Sequence, residues 1–175
     1  MAVKYYPLDD DNLWNEEVAK LLPYTDGNGL DIGCGGRSIK PEIKRLDIDP
    51  EKRPDILASG DEIPVDDAWF DFVVAQHVLE HFADQDKALK EWLRIIKTGG
   101  YILIIHPDVT YTGKQLPPEA NPDLKLHPYN KHYYERNYTE FLTWLNERTN
   151  YGFTLMDAGT ACIGWSFYAI LRKTA

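Results

Sequence analysis

The chain has 175 residues, 43% of them hydrophobic, with 28 acidic against 19 basic side chains and a formal charge of −9. A length of this order suits one domain with a substantial buried core. No run approaches the roughly 18 apolar residues of a membrane helix, and an acidic chain without a Lys/Arg run disfavours a nucleic-acid partner.

Met1–Asp11 holds one Lys, no apolar run and three consecutive acids, which disfavours a signal peptide. Residues Asn12 to Leu22 predict a first helix, with Asp11 or Asn12 as cap and Leu13, Val18, Leu21 and Leu22 as its apolar face. Pro23 and the cluster Asp26-Gly27-Asn28-Gly29 end it. A short buried strand, Gly29 to Ile32, follows and runs into Gly33-Cys34-Gly35-Gly36. Further strands are expected at Lys44 to Ile48, Asp55 to Ala58 and Phe70 to Ala75, the last β-branched and aromatic enough for the centre of a sheet.

Asp84 to Ile96 has helical spacing, with Ala88, Leu89, Trp92, Leu93 and Ile96 on one face, and Thr98-Gly99-Gly100 reads as its C-terminal stop. Tyr101 to Ile105 is then a strong strand. Residues 107–137 carry five prolines and many Tyr and His, and read as an irregular insertion with a turn near Asn130 to Tyr134. A helix from about Thr139 to Arg148, capped by Asn137 or Thr139, precedes two closing strands, Gly152 to Gly159 and Trp165 to Arg172. Alternating strands and helices predict a single α/β domain over residues 1–175. Its architecture is a three-layer Rossmann-like sandwich with a mostly parallel seven-stranded sheet, an antiparallel last strand and a short or missing first crossover helix.

Glycines directly after a first strand let backbone approach a ligand at the strand's carboxyl end, and an acid ending the second strand can accept from two ribose hydroxyls. Leu30-Asp31-Ile32-Gly33-Cys34-Gly35-Gly36 and Leu46-Asp47-Ile48-Asp49 supply both. Asp31 would attract an ammonium and repel a pyrophosphate. Asp47 follows Gly36 by only 11 residues, where a dinucleotide fingerprint expects about 20 and a phosphate-holding helix. Both details favour S-adenosylmethionine as cofactor over a nicotinamide dinucleotide.

Together with Pro-Asp-Ile-Leu at 54–57, Ile-Pro-Val-Asp-Asp at 63–67, Phe-Asp-Phe-Val-Val-Ala-Gln-His-Val-Leu-Glu-His at 70–81 and Leu-Lys-Glu-Trp-Leu-Arg-Ile-Ile-Lys-Thr-Gly-Gly-Tyr at 89–101, the chain resembles class I S-adenosylmethionine-dependent methyltransferases of the type 11/12 kind. The resemblance implies that Asp31, Gly33, Cys34 and Gly35 line the methionine end of the cofactor. It implies that Asp47 holds the ribose, that Ile48 packs on the adenine and that Asp61 lies near the adenine amine. Gln76 and His77 would approach from the other side. The family usually has a third glycine where Arg37 stands here.

His106 and Asp108 lie just past the fifth strand, on the side where ligands bind in such sheets. His106 is the candidate base, its ordinary pKa being near 6.5, and Asp108, His132 and Tyr133 are candidates for holding the acceptor, among the insertion's Tyr111, His127, Tyr129 and Tyr134. His77 and His81 are four apart, but Val78 rather than Glu follows His77, so no metal site is expected. Cys34 and Cys162 lack metal or redox spacing and read as reduced thiols. The expectation is a cytoplasmic monomer or homodimer that methylates a small-molecule acceptor, at oxygen more readily than nitrogen or carbon, with no nucleic-acid or membrane partner. The alternative is a catalytically silent S-adenosylmethionine-binding partner subunit. A nucleic-acid base acceptor is disfavoured, since Ala75-Gln76-His77-Val78 replaces the Asn/Asp-Pro-Pro-aromatic element that grips a flipped base.

Overall fold

The β-branched and aromatic run Phe70–Gln76 forms β4, buried on both faces, at the centre of the sheet. The computed structural model describes residues 11–112, 133, 134 and 136–174. Around β4 the chain lays down α1 (Asp11–Leu21), β1 (Gly29–Ile32), β2 (Lys44–Asp47), β3 (Ile56–Leu57), α2 (Gln85–Ile95), β5 (Ile96–Pro107), α3 (Val109–Thr112), α4 (Tyr138–Asn146), β6 (Phe153–Cys162) and β7 (Ser166–Lys173). The sheet order is β3-β2-β1-β4-β5-β7-β6. β1 to β5 pair in parallel, and β7 runs antiparallel to both β5 and β6. No described helix is long and apolar enough to cross a membrane.

Side chains alternate along β4. Val73 and Ala75 join Trp92, Ile104, Phe141 and Phe167 beneath α2 and α4, while Phe72 and Val74 join Leu21, Leu103, Ile105 and Ile170 on the face that α1 covers. α2 starts where the Asp84 carboxylate accepts from Lys87 N–H, and Trp92 donates to the Gly60 carbonyl at 2.7 Å. α4 carries a reciprocal cap between Asn137 and Glu140. β1 and β2 are joined by residues 33–43 without a helix, as the short gap to Asp47 requires.

Some boundaries move. α2 stops at Ile95 rather than at the glycine pair, and β5 begins at Ile96. Gly99 and Gly100 lie inside β5, where the register with β4 shifts between Phe70 and Phe72. A Cβ on Gly100 would come within 2.5 Å of the Asp71 carbonyl oxygen. The glycine therefore permits a close strand approach at an irregularity, and helix termination falls to Ile96. α3 is a short helix in a stretch expected to be irregular. β6 runs on to Cys162, because it pairs with β7 along its whole length.

Candidate functional site

The carboxyl ends of β1, β2, β4 and β5 meet along one edge of the sheet. After β1 the chain turns sharply, with φ of +66° at Gly33, +57° at Gly35 and +89° at Gly36. Gly33 and Cys34 both donate their N–H groups to the Leu46 carbonyl at the end of β2. A Cβ at Gly35 would meet no atom within 4 Å, so the backbone there is bare toward open space. Cys34 is buried with Sγ 3.9 Å from the Asp47 carboxylate, and burial pushes its thiol up.

Two acids frame this loop. Asp47 accepts from Gly35 N–H at 2.8 Å and from Asp49 N–H at 2.9 Å. A carboxylate has about four lone-pair positions, so Asp47 keeps acceptor capacity beyond these two bonds and the weak Cys34 Sγ–H contact. Asp31 is only 3% exposed. Burial pushes its carboxyl up to about 7, against hydrogen bonds from Ile39 N–H and the Ser38 hydroxyl and the more distant pull of Arg45. It has no cation at ion-pair distance among the described residues. Beside Asp47, the apolar side chain of Ile48 is 43% exposed. Asp61 accepts from Ser59 Oγ at 2.5 Å and pairs with Lys87 at 3.1 Å. Burial pushes its carboxyl up, but Ser59 and Lys87 outweigh that and hold it low.

Across the edge, the chain leaves β4 through His77, whose φ of +54° is a left-handed conformation unusual for a side-chain-bearing residue. Gln76 and His77 do not stand open. Both bond to Glu17 of α1, with Gln76 Nε2 at 2.7 Å and His77 Nε2 at 2.9 Å, and Ser166 Oγ donates to the same carboxylate at 2.5 Å. Glu17 is wholly buried. Burial raises its pKa, but the His77 charge and the bonds from His77, Ser166 and Gln76 hold it below the ordinary glutamate value. Burial lowers His77, but Glu17, and more weakly Glu80, hold it above the ordinary histidine value. The result is a glutamate–histidine pair, the glutamate wholly buried and the histidine partly so, tying α1 to the sheet edge. A second tie places the Arg37 guanidinium 4.5 Å above the Trp14 ring.

His106 is wholly buried, stacked on Phe167 at 5.2 Å and tilted against Phe141 at 5.2 Å. Its Nδ1 lies 2.8 Å from the Pro107 carbonyl oxygen, and burial pushes its pKa down. Asp108 accepts from Thr110 N–H and opens α3, while its own N–H donates to the Trp165 carbonyl. Tyr133 is 46% exposed and its N–H donates to the Glu80 carbonyl at 2.8 Å. Tyr134 donates its hydroxyl to the Ala83 carbonyl. His132, His127 and Tyr129 lie outside the described residues.

The structure thus gathers Asp31, Gly33, Cys34, Gly35, Asp47 and Ile48 around one loop and sets Gln76, His77, His106 and Asp108 at the neighbouring strand ends. Glu17 was missed by sequence reasoning. Its signal is spacing: Leu13, Glu17 and Leu21 fall four apart, so a charge sits in the apolar stripe of α1.

Residues 30–104 match the family model described as a methyltransferase domain. An uncharacterized protein of Methanocaldococcus jannaschii is 37% identical over 117 residues, 59% of this chain and 57% of that one. Ajmaline N-methyltransferase of Rauvolfia serpentina is 29% identical over 125 residues, 56% of this chain and 43% of that enzyme. The chain thus spans about half the length of these curated relatives. Among solved structures, a Burkholderia thailandensis 1,6-didemethyltoxoflavin-N1-methyltransferase with bound 1,6-didemethyltoxoflavin and S-adenosylhomocysteine superposes with a TM-score of 0.70 at 16% identity, covering 95% of this chain and 80% of that one.

Proposed function

We propose that this chain, whose residues 30–104 match a methyltransferase domain, is a class I S-adenosylmethionine-dependent methyltransferase that transfers the donor's methyl group to a small-molecule acceptor. The observation that carries this reading is the bare backbone at Gly35, framed by the buried carboxyls of Asp31 and Asp47 and the exposed Ile48. That donor set suits a cationic amino acid joined to a ribose and an apolar base. Two acids and no phosphate-holding helix suit a pyrophosphate poorly.

In this reading Asp31 takes the donor's ammonium, with Gly33, Cys34 and Gly35 along its methionine end. Asp47 uses its remaining lone pairs for the ribose hydroxyls, and Ile48 covers one face of the adenine. Asp61, held by Ser59 and Lys87, has acceptor capacity left for the adenine amine. Gln76 and His77, fixed by Glu17, close the opposite wall. S-adenosylmethionine, when bound, supplies a methyl group on a positively charged sulfur that is already a good leaving group. The residues of this chain then have to orient the acceptor and exclude water. His106 and Asp108 at the end of β5, and Tyr133 bonded to the Glu80 carbonyl, are the candidates for holding that acceptor.

Incubation with S-adenosylmethionine and a panel of small amines, alcohols, phenols and carboxylic acids is the test. A panel member should gain one methyl mass while S-adenosylhomocysteine accumulates, and Asp47→Ala should remove both signals. Tight donor binding with no product across the panel would favour the silent binding subunit instead.

A further inference from the structure

Two guanidiniums pack against the Trp144 ring of α4, Arg148 at 4.5 Å and Arg136 at 5.0 Å. They differ in what cancels their charge. Arg148 forms a two-pronged pair with the Asp86 carboxylate and meets Glu147 at 3.3 Å. Arg136 has a neutral partner instead: its Nη1 donates to the Gln85 side-chain oxygen at 2.5 Å. Among the described residues no carboxylate lies at ion-pair distance from Arg136. The acids that act on it from further off are engaged elsewhere, Asp86 with Arg148 and Glu140 with the Asn137 N–H.

The guanidinium is nevertheless held in place. Gln85 is only 3% exposed, and its own Nε2 donates to the Leu79 carbonyl at 2.7 Å, which fixes the orientation of its amide oxygen. The Tyr134 ring lies 5.0 Å from the guanidinium, and its hydroxyl is tied to the Ala83 carbonyl. Aromatic rings attract a cation without neutralising it. A guanidinium offers about five N–H donors, and among the described residues the Arg136 side chain uses one of them. Burial and the neighbouring Arg148 both work against its charge and push its pKa down. A partly buried cation in this state is unfavourable by itself and suits an anion that arrives from outside.

Arg136 stands at the carboxyl edge of the sheet. Its carbonyl accepts from Val109 N–H, directly beyond β5, and Tyr133 N–H bonds to the Glu80 carbonyl in the segment that follows β4. Its charge is felt by His106 at the end of β5. Ligands of such sheets lie outside these strand ends. The Arg136 side chain is partly exposed, whereas His106 is wholly buried, so a ligand reaches the guanidinium without entering the core.

We propose that Arg136 receives an anionic group of the methyl acceptor, a carboxylate or a phosphate monoester, at the ends of β4 and β5. This rests on the methyltransferase reading above and narrows the acceptor class. A planar fork with free donors takes either anion through paired hydrogen bonds. Gln85 is a positioning residue: it holds the fork without cancelling its charge, which a glutamate there would do.

The test uses the full chain, labelled with nitrogen-15 in arginine and saturated with S-adenosylhomocysteine. It is titrated with benzoate against benzamide and with phenyl phosphate against phenol. At least one anion should shift the Arg136 Nε–H signal saturably and bind at least tenfold more tightly than its neutral counterpart. Response to benzoate alone identifies a carboxylate, and response to phenyl phosphate alone a phosphate. Added salt should weaken the anions and leave the neutral probes unchanged. Arg136→Gln should abolish the preference while S-adenosylhomocysteine affinity stays within twofold, which shows that the variant is folded. Arg136→Lys, a charge without the fork, should restore part of it. No saturable shift with either anion, equal binding of the neutral probes, or a preference that survives Arg136→Gln would overturn the proposal. So would a preference seen only without S-adenosylhomocysteine, since the donor's own carboxylate would then be the partner. Failure to bind S-adenosylhomocysteine in the first place would instead overturn the reading beneath it.

Discussion

Asp31 and Glu17 are almost equally buried carboxyls at the same edge of the sheet, yet they are perturbed in opposite directions. Among the described residues Asp31 has no cation in contact, and burial carries it up to about 7. Glu17 receives His77, Gln76 and Ser166 and is held below its ordinary value. Desolvation is common to both, and only the partners differ. One acid is complete within the chain and works as a tie between α1 and the sheet. The other has no such partner among the described residues, as the proposed donor-binding acid should.

The contrast is struck hardest at the neighbouring Asp47. Asp47→Ala removes the acceptor of the Gly35 and Asp49 N–H groups as well as the proposed ribose partner. Affinity for S-adenosylhomocysteine should fall at least 100-fold by calorimetry, and a loss under tenfold would place the ribose elsewhere. Next in size is the tie. Glu17→Ala removes the buried carboxylate that holds His77, Gln76 and Ser166, and removing one partner of a buried pair costs about 3–5 kcal/mol. At about 2–4 °C per kcal/mol for a chain of this size, the melting temperature should drop by at least about 6 °C. A drop below about 2 °C would mean that α1 is held by packing alone.

A third comparison sharpens the contrast through pH. Asp31 is raised when folded, so its contribution is fully present below its unfolded pKa of 3.8 and is lost as pH rises through about 7. Asp31→Asn should therefore leave stability at pH 4 unchanged. At pH 8 it should stabilise the ligand-free chain by up to about 4 kcal/mol, three units at about 1.4 kcal/mol each. Glu17 has the opposite sign: its contribution is present above 4.5 and lost as pH falls below that value. His77 is raised, so its share is present below 6.5 and lost as pH climbs past that value toward its folded pKa. Melting curves of Glu17→Gln should accordingly lose slope both below pH 4.5 and above pH 6.5. The smallest effect is expected at Arg37→Ala, where an exposed cation–π contact contributes about 0.5–1 kcal/mol. Its melting temperature should fall by only about 1–4 °C.

The glycine loop after β1 and the acid ending β2 were legible in the sequence because they are local. The run from Leu30 to Gly36 and the strand end at Asp47 act through backbone conformation and chain distance, which spacing encodes directly. The sheet was legible for the same reason, through the apolar runs of Phe70–Gln76 and Tyr101–Ile105. The contacts at the ends of β4 and β5 were not, because they depend on docking. Glu17 meets His77 across 60 residues and Ser166 across 149, and no local pattern encodes that meeting. From sequence His106 is a candidate base just past the fifth strand, with nothing to say how deeply it lies. Its burial follows from Phe141 and Phe167, which arrive only when α4 and β7 pack. Gly99 and Gly100 misled in the same way: two glycines after an amphipathic helix read as a cap, and it took the neighbouring Asp71 carbonyl to show a close strand approach.

The most direct measurement is calorimetric titration of S-adenosylhomocysteine into the wild-type chain and Asp31→Asn between pH 5.5 and 8.5. If Asp31 takes the ligand's ammonium, wild-type affinity should climb as pH rises through about 7, while the variant binds at least tenfold more weakly with a flat profile. No heat with either protein, or an affinity indifferent to both pH and the substitution, would contradict an acid-framed loop that holds a cationic adenosyl amino acid.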